Sequence, residues 1–235
     1  MLATYGLQKR LNIFRKDKFS ENVSFLYNGT NTVGQSFGTN IVGGTNISTT
    51  NGGSTVNAQV KFNATVLDCT NNKTWAAQGS LFDVGANNFS CEFFVYNISR
   101  LYNYNDGFLI ADGFWGSNTI GYEIAVGHAA YGSNNYQVYS PINGPINTGV
   151  AITYGNWEFW QIIRNGASIN FYKNGVLIYA DNVGINFNWS GKTINTIQVN
   201  NTAGNNNFNG YCNGIRFTKN LNRPVANETG PFLYP

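Results

Sequence analysis

Two spans of this 235-residue chain carry side chains suited to gripping a saccharide. Residues 102–118 hold Tyr102, Asn103, Tyr104, Asn105, Asp106, Trp115 and Asn118, and a second group, Tyr131, Asn134, Asn135 and Tyr136, follows His128. A sugar offers an apolar ring face and a girdle of hydroxyls, so flat aromatic rings stack on it while amides and carboxylates bridge its hydroxyls. Tyr104, Asp106, Asp112 and Trp115 are the candidate glycan-binding residues on this reading. The same rings also suit a second role, capping the core or packing against a neighbouring subunit. Asp106 and Asp112 are in addition the one close acidic pair in a loop-like setting. Calcium seeks six to eight hard oxygen ligands, several of them anionic, and this pair is the only place to look for it.

Catalytic chemistry finds little to work with. A glycosidase needs two carboxylates about 5 to 9 Å apart, one protonated and one ionised. Glu92, Glu123, Glu158 and Glu228 have no acid two residues away, and Asp83 and Asp181 are equally isolated. A serine or cysteine nucleophile needs a base. His128 is the single histidine, set among small apolar neighbours, and reads as a core or turn residue. The expectation is a protein without catalytic residues, resident metal or other cofactor.

The three cysteines, Cys69, Cys91 and Cys212, cannot all pair within one chain, and their spacing matches no zinc pattern. They read as reduced and half-buried, consistent with assembly inside a cell. Charge is distributed unevenly. Charged residues are 11% of the chain against about 25% in an average domain. Lys9, Arg10, Arg15, Lys16 and Lys18, offset by Asp17, place +4 in the first twenty residues, and the remaining 215 sum to −1. A basic stripe for nucleic acid is therefore missing from the body. Residues 1–20 read either as a solvated tail or as an arm that docks on an acidic partner surface. A signal peptide is not apparent, nor is an apolar run of about 18 residues that would span a membrane.

The elements that must position these groups are short strands. Asn, at 39 residues, and Gly, at 27, supply turns and neutral surface. Val23, Phe25 and Tyr27 alternate with Ser24; residues 34–56 are mostly Gly, Thr, Ser and Asn with scattered apolar residues, a loop or weakly specified strand. Gly79–Val84, Glu92–Ile98, Phe108–Ala111 and Thr119–Val126 read as strands, the last with Ile120, Tyr122, Ile124 and Val126 on one face. Asn165-Gly166 and Asn174-Gly175 mark two type I′ turns of a three-strand meander over residues 157–179. Tyr211–Thr218 is a final strand, Tyr211, Asn213, Ile215 and Phe217 on one face and Cys212, Gly214, Arg216 and Thr218 on the other. No helical period is sustained. The fold class expected is all-β: about twelve strands in two packed antiparallel sheets.

Several of these stretches resemble a known family. The meander Trp157-Glu158-Phe159-Trp160-Gln161-Ile162-Ile163-Arg164, turn, Ile169-Asn170-Phe171-Tyr172-Lys173-Asn174-Gly175 is similar to that of LamG-like jelly rolls of the concanavalin A-like lectin/glucanase group. Gly210-Tyr211-Cys212-Asn213-Gly214-Ile215-Arg216-Phe217-Thr218-Lys219 resembles the family's closing strand, and Phe25–Asn31 and Phe89–Val95 resemble two earlier ones. The matches keep the family's order across residues 22–235, and the N-G-T-N start and Pro231-Phe232 ending are most similar to copies in phage virion proteins. The family's paired acids in the last strand are replaced by Cys212-Asn213-Gly214, and the E-x-D-x-E strand of its glucanase branch is missing.

The resemblance implies a jelly-roll domain over residues 21–235 behind a basic arm of residues 1–20. It further implies a non-enzymatic virion component, a capsid decoration, head-fibre or tail-fibre protein, assembled in the host cytoplasm. In that role Lys9, Arg10, Arg15, Lys16 and Lys18 would contact capsid or tail proteins, in a homo-oligomer or other multi-copy assembly. The alternative is a carbohydrate-binding module that recognises host-surface polysaccharide. Neither reading involves nucleic acid or membrane insertion.

Overall fold

The structure, a computed structural model, describes residues 17–29, 32–49, 51–71, 73–100, 108–111, 123–128, 134–140, 143–183, 196–199 and 208–232. It is an all-β jelly-roll sandwich of two eight-stranded antiparallel sheets. The described residues form sixteen strands rather than about twelve. Most of the excess comes from short pieces such as β2 (Phe37–Gly38) and β3 (Ile47–Thr49) inside the polar stretch 34–56.

The first sheet runs β14 (Val176–Asn182), β13 (Ser168–Lys173), β12 (Trp157–Asn165), β7 (Phe89–Arg100), β16 (Phe208–Lys219), β5 (Ala64–Asp68), β4 (Thr55–Lys61). β1 (Val23–Tyr27) lies beside the second half of β16, and β5 beside its first half. The second sheet runs β11 (Gly144–Ala151), β10 (Asn135–Ser140), β9 (Glu123–His128), β8 (Phe108–Ala111), β15 (Thr196–Val199), β6 (Trp75–Gln78), β3, β2. Aromatic and β-branched side chains from both inner faces close the core, among them Phe93, Trp160, Phe171 and Phe217 from one sheet and Trp75, Ile124, Val138 and Val199 from the other.

Particular readings need correction. Gly79–Val84 is no strand. Ser80–Phe82 form a single 3-10 turn that delivers Phe82 between Phe25 and Phe217, at ring distances of 5.5 and 5.4 Å. A short apolar run does not by itself distinguish strand from turn. In the meander, Asn165 pairs with Ser168, so the loop residues are Gly166 and Ala167. Gly166 takes φ +58° while Asn165 stays in the strand, which places glycine first, as a type II′ turn requires. The second turn does have both Asn174 (φ +49°) and Gly175 (φ +79°) left-handed, as type I′ demands. The strand expected at Thr119–Val126 is Glu123–His128, Thr119–Tyr122 lying outside the described residues, and Ile124 and Val126 are buried. The cysteines are fully buried rather than half-buried, and none forms a disulfide. Burial pushes all three thiols above their ordinary range.

The largest difference concerns β16. Strict alternation groups Tyr211 with Ile215 and Phe217, but a bulge intervenes. The register against β7 jumps between Asn213 and Arg216, with Gly214 at φ +53°. The extra residue switches the faces. Cys212, Ile215 and Phe217 all enter the core, while Tyr211, Asn213 and Arg216 turn to the outer face of the first sheet. A Cβ on residue 214 would come within 2.8 Å of the Phe94 ring, so glycine is demanded twice over.

Candidate functional site

Three strands, β12, β7 and β16, lay out the outer face of the first sheet in successive rows. At one end the row is Trp157, Tyr96 and Tyr211. Two residues along, it is Phe159, Phe94 and Asn213. Two further along β12 and β7, and three along the bulged β16, it is Gln161, Glu92 and Arg216. The period of two keeps one face per strand, and the bulge keeps β16 in step.

The first row is an aromatic shelf. The Trp157 and Tyr96 rings stand 5.6 Å apart and the Tyr96 and Tyr211 rings 6.1 Å, tilted by 60° and 44°. All three are partly exposed, and Ile98, 42% exposed, continues the apolar surface along β7. Beyond Tyr211 the row ends at Asp68 on β5. Asp68 accepts from the Thr70 backbone N–H at 3.0 Å and hydroxyl at 2.7 Å and forms an ion pair with Lys73. Burial, then the Asp68 charge, raises the Tyr211 phenol pKa, so the ring presents a neutral hydroxyl.

The β4–β5 hairpin walls the shelf on its inner side. Lys61 pairs with Ala64, and the two-residue loop between them is Phe62-Asn63, at φ +59° and +57°. That is the left-handed pair of a type I′ turn built without glycine. Gln59 is also left-handed, at φ +49°. Such a conformation is costly for a bulky residue such as Phe62 and marks a place the surroundings hold by force. The holding contacts lie on the outer face. Gln59 C=O accepts from Trp157 Nε1–H at 3.1 Å, Lys61 C=O accepts from Asn213 Nδ2 at 3.4 Å, and Phe62 meets Phe94 edge-on at 5.0 Å. Lys61 Nζ sits 4.7, 5.0 and 5.8 Å from the Phe94, Phe62 and Trp157 ring centres.

The far end of the face is closed and charged. Glu92 accepts from Arg216 Nε at 2.5 Å and from Gln161 Nε2 at 2.9 Å, and Arg223 Nε lies 3.5 Å away. Asp17 pairs with Arg223 and, at 3.5 Å, with Arg216. Burial works to raise the Asp17 pKa, but hydrogen bonds from Arg223 and the Phe19 N–H and the charges of Arg223 and Arg216 outweigh it, and its carboxyl is held below the ordinary range. A cleft of about 530 Å³ opens beside this cluster, lined by Lys18, Glu228 and Phe232 as well. Within it Asp17 and Glu92 are answered by Arg216 and Arg223.

The predicted site residues fall as follows. Tyr104, Asp106, Asp112 and Trp115 lie outside the described residues, as do Lys9, Arg10, Arg15 and Lys16. Lys18 is described, its ammonium 4.7 Å from the Phe19 ring centre. Asp17, counted with the arm, is only 4% exposed and belongs to the folded body. Tyr136, grouped with the rim amides, is instead a core residue, because it shares a strand face with Val138. Its hydroxyl donates to Glu158, and burial and that carboxylate raise its pKa. Glu158 also pairs with Lys173 at 2.7 Å, while Asp181 accepts from Ser140 and Asn143. His128 stands in β9 opposite Tyr136, and Glu123 opposite Ala111. Among the described residues no three His, Cys, Asp or Glu side chains gather to hold a metal ion. Sequence reasoning missed the shelf because its three rings lie on strands 54 to 115 residues apart; the signal was the Gly214 that shifts the phase of β16.

No family model matches this sequence, and no curated protein does. Solved structures do match the fold. Domain 4 of a GH43 extracellular arabinanase from Geobacillus stearothermophilus, in complex with arabinotriose, is 12% identical with a TM-score of 0.58, the match covering 84% of this chain and 92% of that one. Trypanosoma rangeli sialidase in complex with sialic acid is 8% identical with a TM-score of 0.62 over 87% of this chain, which spans 32% of the sialidase. The binding domain of Paraclostridial Mosquitocidal Protein 1 is 15% identical with a TM-score of 0.55, covering 86% of this chain and 50% of that one. Identities this low carry the sandwich fold alone, and not a LamG or phage-type affiliation.

Proposed function

We propose that this chain is a non-catalytic carbohydrate-binding module and that saccharide rings stack on Trp157, Tyr96 and Tyr211. One observation carries the reading: three aromatic rings on adjacent strands, partly exposed, in a single row across a sheet. Aromatic side chains left open in a row are uncommon on a surface that has no partner. Neighbouring rings are tilted by 60° and 44° rather than coplanar, which suits one twisted glycan chain better than a flat crystalline surface. Lys73 and Thr70 stand at the Asp68 end to meet hydroxyls. The fold is one that an arabinotriose-bound domain also uses. A glycan array with the intact protein, followed by calorimetry on each hit, tests the proposal. Trp157→Ala should weaken binding about tenfold or more, the worth of one stacked ring, measured on the folded protein below its melting transition. Full affinity in both Trp157→Ala and Tyr211→Ala would sink it.

A virion setting concerns how such a module is carried, and one observation favours it as a second proposal. Asp17 is locked between Arg223 and Arg216, which fixes to the fold the residue that follows the basic segment with Lys9, Arg10, Arg15 and Lys16. Removal of residues 1–16 should abolish incorporation into particles while the melting temperature holds. Undiminished incorporation would defeat it.

A further inference from the structure

Lys61 has a peculiar setting. It is partly buried at the last residue of β4, against three aromatic rings, and among the described residues no carboxylate lies within ion-pair distance of it. Three other cations of this face are answered: Arg216 by Glu92 and Asp17, Arg223 by Asp17, Lys73 by Asp68. A fold with only 11% charged residues does not place a cation on aromatic faces for solubility. The position is also built at a cost, since three left-handed residues, Gln59, Phe62 and Asn63, curl the hairpin over the face so that the ammonium overhangs Trp157. Burial lowers the Lys61 pKa, a penalty on the charge that an incoming anion would relieve.

From the bare ammonium at the edge of the shelf we infer that the glycan is acidic: a saccharide whose carboxylate or sulfate group pairs with Lys61 while its ring stacks on Trp157. This rests on the proposed carbohydrate-binding reading and narrows it to a ligand class. The asymmetry of the shelf gives the binding a direction. The Trp157 end holds an uncompensated cation and receives the anionic group, whereas at the opposite end Lys73 is already neutralised by Asp68 and receives hydroxyls.

The test pairs each acidic saccharide with its neutral counterpart. De-esterified and methyl-esterified oligogalacturonides and sulfated and desulfated galactans are presented to the intact protein and to Lys61→Met, which keeps the stem on the rings and removes the charge. The acidic member of at least one pair should bind about tenfold more tightly, the scale of a charge-assisted contact. That preference should shrink with added salt and vanish in Lys61→Met, the loss falling mainly on the acidic member. Equal binding of acidic and neutral partners, or a preference that survives Lys61→Met, overturns the inference and leaves the aromatic shelf standing. Failure of every acidic and neutral member to bind overturns both.

Discussion

The two ends of one sheet face obey opposite rules. Trp157, Tyr96 and Tyr211 are apolar and meet solvent, while Gln161, Glu92 and Arg216, four residues along the same β12 and β7, are polar and shut away from it. Between them Phe94 and Phe159 take the lid of Phe232, at 5.6 and 6.1 Å. Buried polar groups and exposed rings are the informative departures on a protein surface, and here they sit on one face about 13 Å apart. The buried end is a fastening. Its charges compensate one another and tie residues 17–19 and 223–232 to the sheet. The open end is unfinished, with stacked rings and an ammonium that have no internal answer.

The comparison predicts where damage is structural and where it is functional. Glu92→Ala should have the largest effect, about 3–5 kcal/mol of unfolding free energy, because it strands Arg216 and Arg223 beside one aspartate. Denaturant titration measures this. Glycan affinity of the folded fraction should be unchanged, and a loss there would erase the division between the ends. Gly214→Ala comes next, about 2 kcal/mol, from a left-handed φ and contact with Phe94. It alone should injure both ends, since the bulge keeps Tyr211 and Arg216 on the same face.

Acid should loosen the fastened end first. Asp17 has its pKa depressed below 3.8, so its contribution is complete above pH 3.8 and disappears as pH falls through the lower folded value. Stability followed from pH 6 to 2 should therefore drop more in the native protein than in Asp17→Asn; parallel curves would count against the clasp. The smallest effect belongs to the hairpin tip. Asn63→Gly should stabilise by about 0.5 kcal/mol, as glycine relieves a positive φ of 57°. Thermal melts suffice, and destabilisation would mean that the Asn63 side chain is needed by the wall.

What the sequence made legible was local. The meander from Trp157 to Tyr179 can be read from two Asn-Gly steps and the apolar runs between them, and the sandwich follows from period-two patterning. Even there one turn was misassigned, because the choice between II′ and I′ depends on which residues pair, and pairing is a property of two strands. The candidate site is non-local throughout. Tyr96, Trp157 and Tyr211 become neighbours only through register, and a one-residue bulge decides whether Tyr211 joins the core or the shelf. Glu92, Arg216, Arg223 and Asp17 looked like scattered charges for the same reason; two of them are 206 residues apart. Loop composition drew attention to residues 102–118, where rings and amides cluster in sequence, whereas the shelf's rings cluster only in space.

The fastening at Asp17 also decides how the fold bears load. A pull applied through residue 17 reaches Arg223 and Arg216 before it reaches β1, and Arg216 belongs to β16, a strand flanked on both sides by β7 and by β1 and β5. Tension therefore enters an interior strand of the sheet, whose hydrogen bonds on either side share it, rather than peeling an edge strand one bond at a time. A domain wired in this way holds its shape under shear, and the aromatic row lies on the same face as the clasp.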